Sequence, residues 1–342
     1  MTWFARPEAR TWRCEPAPAE VAEFHARLPG YRATPLADLP ALARELRVGR
    51  VLVKDESQRL GLPAFKVLGA SWAIHQALAG RTGPVRLITA TDGNHGRAVA
   101  RIGRLLGHPV RVFLPRGVHP AALAAIEAEG AEVVPVDGCY DVAVRRAAEA
   151  SARPRAVLIQ DTAWPGYEQV PGWIVEGYST LFAELDTQLA GPPSLVAVPV
   201  GVGSLAQAAV THYRSRPDGP ALLSVEPAAA SCVLTSLQRG RLTTVPTGAT
   251  VMAGLNCGTP SSLAWSRLAA GLDAAVSVSD DESLAAVKDL AAFGISAGPC
   301  GAAALAGARA ALSTEARRAA LRIGPDSTIV LLSTEGSAAN PA

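Results

Sequence analysis

With 342 residues, 49% of them hydrophobic and 18% charged, the chain can bury more than one core and is too apolar for extended disorder. The formal net charge is +2 and there is no basic tail, so nothing offers an electrostatic footprint for nucleic acid. The alanine-rich stretches are broken by Arg309 or Glu127 well short of a membrane span.

The N-terminal segment MTWFARPEARTWRC has no apolar h-region, so no signal peptide is expected. Strand candidates follow at 50–54, 85–90, 110–114, 131–136, 156–160, 195–200, 221–225, 274–278 and 327–332. They are continuous apolar runs, the pattern of strands covered on both faces. Helix-length segments lie between them at 65–79, 95–107, 119–130, 140–152, 172–190, 203–215, 281–293 and 301–313. This alternation predicts an α/β fold of open, mainly parallel twisted sheets with helices on both faces. Gly191-Pro192-Pro193 marks a candidate boundary after a long helix. No repeat at a fixed period is visible.

In such sheets ligands bind beyond the carboxyl ends of the strands, so the turns that follow strands carry the chemistry. Four turns stand out. Ala64-Phe65-Lys66-Val67 opens a helix, and Lys66 is one of only three lysines, with Lys54 and Lys288, among 32 basic residues. Arginine cannot deprotonate and cannot form an imine, so a lysine kept in an arginine-rich chain invites that role. The positive end of the helix dipole would favour a neutral amine there. An ordinary solvated lysine at a helix start is the plainer alternative.

Thr89-Ala90-Thr91-Asp92-Gly93-Asn94-His95-Gly96 follows a strand and precedes a helix. Its glycines leave backbone N–H groups available to an anion such as a carboxylate, and Asn94 could hydrogen-bond a phenolic oxygen. A capped helix start would look similar. Gly201-Val202-Gly203-Ser204-Leu205 has the composition of a phosphate cradle. The same stretch reads as a GxGxxA dinucleotide fingerprint, with Glu226 ending the next strand as a candidate ribose ligand. Finally, Ser333-Thr334-Glu335-Gly336 ends the last strand, where a hydroxyl could meet a pyridine nitrogen.

In this order, these four turns resemble the fold type II (tryptophan synthase β-like) pyridoxal-phosphate enzymes over roughly residues 31–337. The nearest branch is that of the diaminopropionate ammonia-lyases. Val53-Lys54-Asp55-Glu56-Ser57, Gly61-Leu62, Ala64-Phe65-Lys66, Thr89 to Arg97, Gln160 to Trp164, Gly166-Tyr167, Met252 to Leu255, Cys257-Gly258 and Ser333 to Gly336 carry the likeness.

The resemblance implies a cofactor, pyridoxal 5'-phosphate, bound as an imine on Lys66. It implies cofactor contacts from Phe65, Lys66, Asn94, Gly201, Val202, Gly203, Ser204, Leu205 and Ser333. Substrate carboxylate contacts would come from Thr91, Asp92, Asn94 and His95. Asp161 and Asp92 are implied as bases for the L and D isomers. The α-proton leaves perpendicular to the imine plane, so the two isomers present it to opposite faces. The implied reaction is α,β-elimination of 2,3-diaminopropionate to pyruvate and ammonia, through an external aldimine and an aminoacrylate. The implied layout is a large cofactor-binding domain, 1–84 and 171–342, with a small domain, 85–170, inserted in it.

A serine or threonine dehydratase, a β-replacement synthase, a non-catalytic amino-acid-binding relative and a nicotinamide-dependent oxidoreductase stay open as alternatives. No metal is expected, because none of the five cysteines falls in a CxxC pair. The odd, widely spaced set suits a reducing cytoplasm. The family also implies a homodimer, and it allows Cys232 and Cys257 to pair. Gly298-Pro299-Cys300-Gly301 departs from the family, lacking the acid usual in that turn.

Overall fold

A computed structural model describes residues 2–91 and 93–339. In chain order its strands are β1 (Trp3–Ala5), β2 (Leu36–Asp38), β3 (Arg50–Asp55), β4 (Arg86–Ala90), β5 (Val110–Pro115), β6 (Glu132–Val136), β7 (Ala156–Leu158), β8 (Leu195–Pro199), β9 (Ala221–Pro227), β10 (Ala274–Val278) and β11 (Thr328–Ser333). The main sheet runs β1-β10-β9-β8-β11-β3-β2, and a second runs β6-β5-β4-β7. The second sheet is parallel throughout. The main sheet is parallel inside and antiparallel at both edges, where β1 pairs β10 and β2 pairs β3. The α/β architecture with two mainly parallel sheets is therefore as the strand–helix alternation predicts.

The continuous apolar runs are explained by cover on both faces. Along β11, Ile329 and Leu331 join one core while Val330 and Leu332 join the other, the period of two that a strand imposes. On the first face lies α12 (Pro299–Ala311), the origin of one alanine-rich stretch. Its approach is so close that a Cβ on Gly307 would stand 2.2 Å from Val225 Cγ2. On the other face α3 (Lys66–Leu78) crosses α7 (Gln169–Gln188). A Cβ on Gly177 would lie 2.6 Å from the Leu68 carbonyl oxygen and 2.7 Å from Gly69 Cα, so these two backbones touch. That contact fixes where the first residue of α3 can stand.

Short elements escape the sequence patterns. β1 and β2 have three residues each, and helices Glu20–Ala26, Pro40–Glu45 and Glu315–Leu321 have six or seven, less than two turns of periodicity. Helices α9 (Cys232–Arg239) and α10 (Ser262–Gly271) also lie outside the helix-length segments of the sequence. Strand 156–160 ends early, at Leu158. After a last bond from the Ile159 N–H to the Ile88 carbonyl oxygen (2.7 Å), the chain leaves the sheet and carries Asp161 with it.

A buried ionic cluster holds the loop that joins β3 to α3. Lys54 donates to Glu184 Oε2 (2.6 Å), and Arg59 donates to Glu184 Oε1 (2.5 Å) and Glu56 Oε1 (2.7 Å). Tyr31 and the Thr34 backbone also donate to Glu184. Two cations and two carboxylates leave the cluster neutral, which makes its burial tolerable. Burial pushes the Glu184 pKa up, but Arg59 and Lys54 overcome this and draw it from 4.5 to about 2. Its stabilising effect is thus complete above pH 4.5 and lost as the pH falls toward 2. Glu184→Gln should lower the unfolding free energy at pH 7 by about 3–5 kcal/mol, measured in urea, because it strands buried cations. The variant should also lose this part of the acid sensitivity.

Candidate active site

A cavity opens at the carboxyl ends of both sheets, where the topology places ligand sites. It is lined from the β3–α3 loop by Phe65 and Lys66, and from the turn between β4 and the helix Asn94–Leu106 by Thr91, Gly93, Asn94 and His95. Asp161 and Thr162 reach it from beyond β7, and Gly201 to Leu205 from beyond β8. Thr334 and Glu335 close it after β11. The sequence-predicted residues of all four turns converge here, apart from Asp92, which lies outside the described residues, and Ser333, which lies just behind the wall.

Lys66 is the first residue of α3, and its Nζ stands 2.8 Å from Asp161 Oδ2. Lys54 is instead locked in the ionic cluster and Lys288 is exposed, so Lys66 is the lysine that faces a cavity. The expectation of a neutral amine fails in this state. Burial disfavours the ammonium, but the Asp161 charge outweighs it and raises the lysine pKa above its ordinary value. At 2.8 Å the attraction is about 6 kcal/mol for an effective dielectric near 20, against about 1 kcal/mol for a helix dipole. Burial pushes the Asp161 carboxyl up, yet the Lys66 charge and hydrogen bond hold it at about 2. Asp161 is ionised and paired.

His95 is buried, with Nε2 2.8 Å from the Ile159 carbonyl oxygen. A carbonyl only accepts, so Nε2 carries the hydrogen. Burial holds the ring pKa below its usual value, and Nδ1, 4.0 Å from Asp161 Oδ2, offers a lone pair. Neutral His95 therefore accepts rather than donates at Nδ1, which runs against its expected role as a carboxylate ligand. Thr91 keeps a hydroxyl hydrogen, because its oxygen accepts from the Gly93 N–H (3.0 Å).

The glycine turn beyond β8 leads into α8 (Ser204–Arg214). Gly203 has a φ of +102°, and a Cβ there would come within 2.6 Å of Leu268 Cδ1. A Cβ on Gly201 would crowd Cys257 Sγ at 3.0 Å. These glycines let the backbone bend beneath the cavity, so the unpaired N–H groups of the first α8 turn open onto it. The oxidoreductase alternative fails at Glu226. That side chain is fully buried and accepts the Val233 and Leu234 N–H groups, both at 2.7 Å, at the start of α9. Burial pushes its pKa up to about 8, and no ribose could reach it.

The residues present fit pyridoxal phosphate. Ser333 Oγ is buried without a hydrogen-bond partner among the described residues, as a group awaiting a ligand's acceptor or donor would be. The α8 start offers anion-binding N–H groups, Asn94 faces the cavity, and Lys66 keeps part of its side chain accessible there. Phe65 packs against Tyr178 with ring centroids 4.8 Å apart and planes tilted by 55°, which fixes the wall beside Lys66. Cys232 donates to the Gly201 carbonyl oxygen (3.7 Å), and no disulfide joins it to Cys257.

Several lining residues had no role assigned from sequence: Tyr140, Asn256, Cys300 and Glu335. Glu335 belongs to the turn that ends β11, and its direction into the cavity depends on the packing of that turn against residues 63–65 and 298. The turn that lacks an acid at 298–301 is not without one in space. Glu335 Oε1 would lie 3.1 Å from a Cβ placed on Gly298.

Comparison with known proteins agrees with this geometry. The model of a family described as pyridoxal-phosphate dependent enzyme matches residues 27–335. A diaminopropionate ammonia-lyase of Salmonella typhimurium is 38% identical over 277 residues, covering 72% of this chain and 68% of that protein. One from Escherichia coli is 34% identical over 346 residues, covering 92% and 87%. The crystal structure of diaminopropionate ammonia lyase from Escherichia coli, in complex with an aminoacrylate-PLP azomethine reaction intermediate, superposes with a TM-score of 0.87 at 31% identity. It covers 98% of this chain and 94% of its own. The chain belongs to the pyridoxal-phosphate-dependent enzyme family, in its fold type II diaminopropionate ammonia-lyase branch.

Proposed function

We propose that the protein eliminates both amino groups of 2,3-diaminopropionate, giving pyruvate and ammonia. The carrying observation is the Lys66–Asp161 pair, a lysine and an ionised carboxylate 2.8 Å apart in a cavity with an anion cradle. Bound pyridoxal phosphate supplies the electron sink that makes an α-proton acidic and a β-substituent expellable.

The chain's residues divide the remaining work. Lys66 Nζ anchors the cofactor and returns to release the product. The N–H groups of Gly201 to Leu205 hold a phosphate, while Asn94 and Ser333 meet the ring's polar edge. Asp161 Oδ2 takes the α-proton of the L isomer. Its low pKa in the described state comes from the Lys66 ammonium. Where Lys66 Nζ is neutral, as it must be to act as a nucleophile, that charge is gone and the carboxylate becomes a stronger base. A β-ammonium group departs as ammonia with its own protons, so no further acid is needed for that step. Asp92 is assigned to the D isomer on the family resemblance. Thr91 and Asn94 supply donors for the substrate carboxylate.

The separate four-stranded sheet supports treating 85–170 as a small domain inserted in a large one of 1–84 and 171–342. The family resemblance supports a homodimer working in the cytoplasm on a free amino acid.

Two outcomes check these roles. Asp161→Asn should keep the visible absorbance of the cofactor-loaded protein but lower kcat/KM for the L isomer by about 10²–10⁴. Undiminished L turnover, or pyruvate from serine and none from diaminopropionate, contradicts the proposal. In the cofactor-free protein, removing the Asp161 charge should lower the Lys66 pKa. Labelling of Lys66 by an amine-reactive reagent, followed by mass spectrometry across pH 7–10, should therefore begin at lower pH in Asp161→Asn than in the wild type.

A further inference from the structure

Glu335 is a carboxylate, only 3% exposed, on the wall of the cofactor cavity, and the roles set out above do not use it. Its Oε2 accepts a hydrogen bond from Asn94 Nδ2 at 2.7 Å. A carboxylate can only accept, so this bond decides which way the Asn94 amide faces: Nδ2 toward Glu335. Nδ2 carries a second hydrogen, and Asn94 itself lines the cavity.

The surrounding backbone is arranged to hold that carboxylate. The Glu335 carbonyl oxygen accepts from the Gly298 N–H at 3.0 Å, the Phe65 N–H donates to the Thr334 carbonyl oxygen at 3.2 Å, and the Gly336 N–H donates to the Pro63 carbonyl oxygen at 2.8 Å. The same ladder thus places Glu335 and the segment that starts α3 with Lys66. A side chain at 298 would press on Glu335 Oε1 at 3.1 Å. One at 301 would meet the Glu335 carbonyl oxygen at 2.7 Å and Ser333 Oγ at 3.0 Å. The acid-free turn Gly298-Pro299-Cys300-Gly301 is therefore shaped to leave room for an acid contributed by the chain end.

We propose that Glu335 is a positioning residue: it fixes and polarises the Asn94 amide so that the second Nδ2 hydrogen is presented to the cofactor's phenolic oxygen. This rests on the assignment of the cavity to pyridoxal phosphate. A charge-assisted bond polarises its donor more strongly than a neutral one does. Glutamine at 335 would remove the charge and let the amide pair turn either way.

The test uses the full-length protein stripped of cofactor and titrated with pyridoxal phosphate. Glu335→Gln should weaken binding about tenfold, the order of one charge-assisted hydrogen bond. The visible band of the loaded variant should titrate at lower pH than that of the wild type, because a nearby negative charge favours the protonated chromophore. The affinity effect should vanish when Glu335→Gln is made in an Asn94→Ala background, because no amide is then left to be fixed. Wild-type affinity in Glu335→Gln, or a loss of affinity of full size in the Asn94→Ala background, overturns the proposal while leaving the cofactor assignment standing. Failure of the wild type to bind pyridoxal phosphate overturns the cofactor assignment itself.

Discussion

The ion pair between Lys66 and Asp161 ties together the two halves of this fold. Lys66 opens α3, beyond β3 of the main sheet, and Asp161 follows β7 of the small one. An ammonium in this cavity without the carboxylate, or the reverse, would be a buried uncompensated charge. Together they are nearly neutral, and each holds the other in its charged form. The same attraction makes the pair reversible in function. It keeps Asp161 a weak base while Lys66 carries its proton, and leaves it a stronger one when the amine is neutral.

That 2.8 Å separation is set by packing far from the charges. α3 cannot slide, because its backbone lies directly on α7 at Gly69 and Gly177. The loop before it cannot drift, because Arg59 and Glu56 are locked into the cluster around Glu184 on α7. The carboxyl end of β11 hydrogen-bonds to the same loop through Phe65 and Gly336. Small residues bring the elements close and buried charges fix their register, so the reacting groups are positioned by rigid neighbours rather than by their own loops.

Much of this was legible in the sequence, for identifiable reasons. All nine strand candidates, 50–54 to 327–332, correspond to observed strands: most are covered on both faces and leave an uninterrupted apolar run, and the half-exposed edge strand β6 still shows through Val133, Val134 and Val136. The turns at Lys66, Asn94 and Gly201 could be located because they follow such runs and carry residues with few other uses there. The charge state of Lys66 could not be read, since it depends on a carboxylate 95 positions away in the chain. Glu226 looked like a ribose ligand by spacing alone, and only its bonds to Val233 and Leu234 reveal a helix-capping role. Glu335 was hidden for a related reason. The turn that usually carries the acid is acid-free, and the carboxylate arrives from a different segment.

The central claim is that Lys66 is the residue to which the cofactor is joined. Reduction of the purified, cofactor-loaded protein with borohydride, followed by peptide mapping, tests it most directly. The account predicts loss of the visible absorbance band and a pyridoxyl mass increment on the peptide that contains Lys66. A colourless protein that binds no pyridoxal phosphate, or an increment on Lys54 or Lys288 instead, would contradict it.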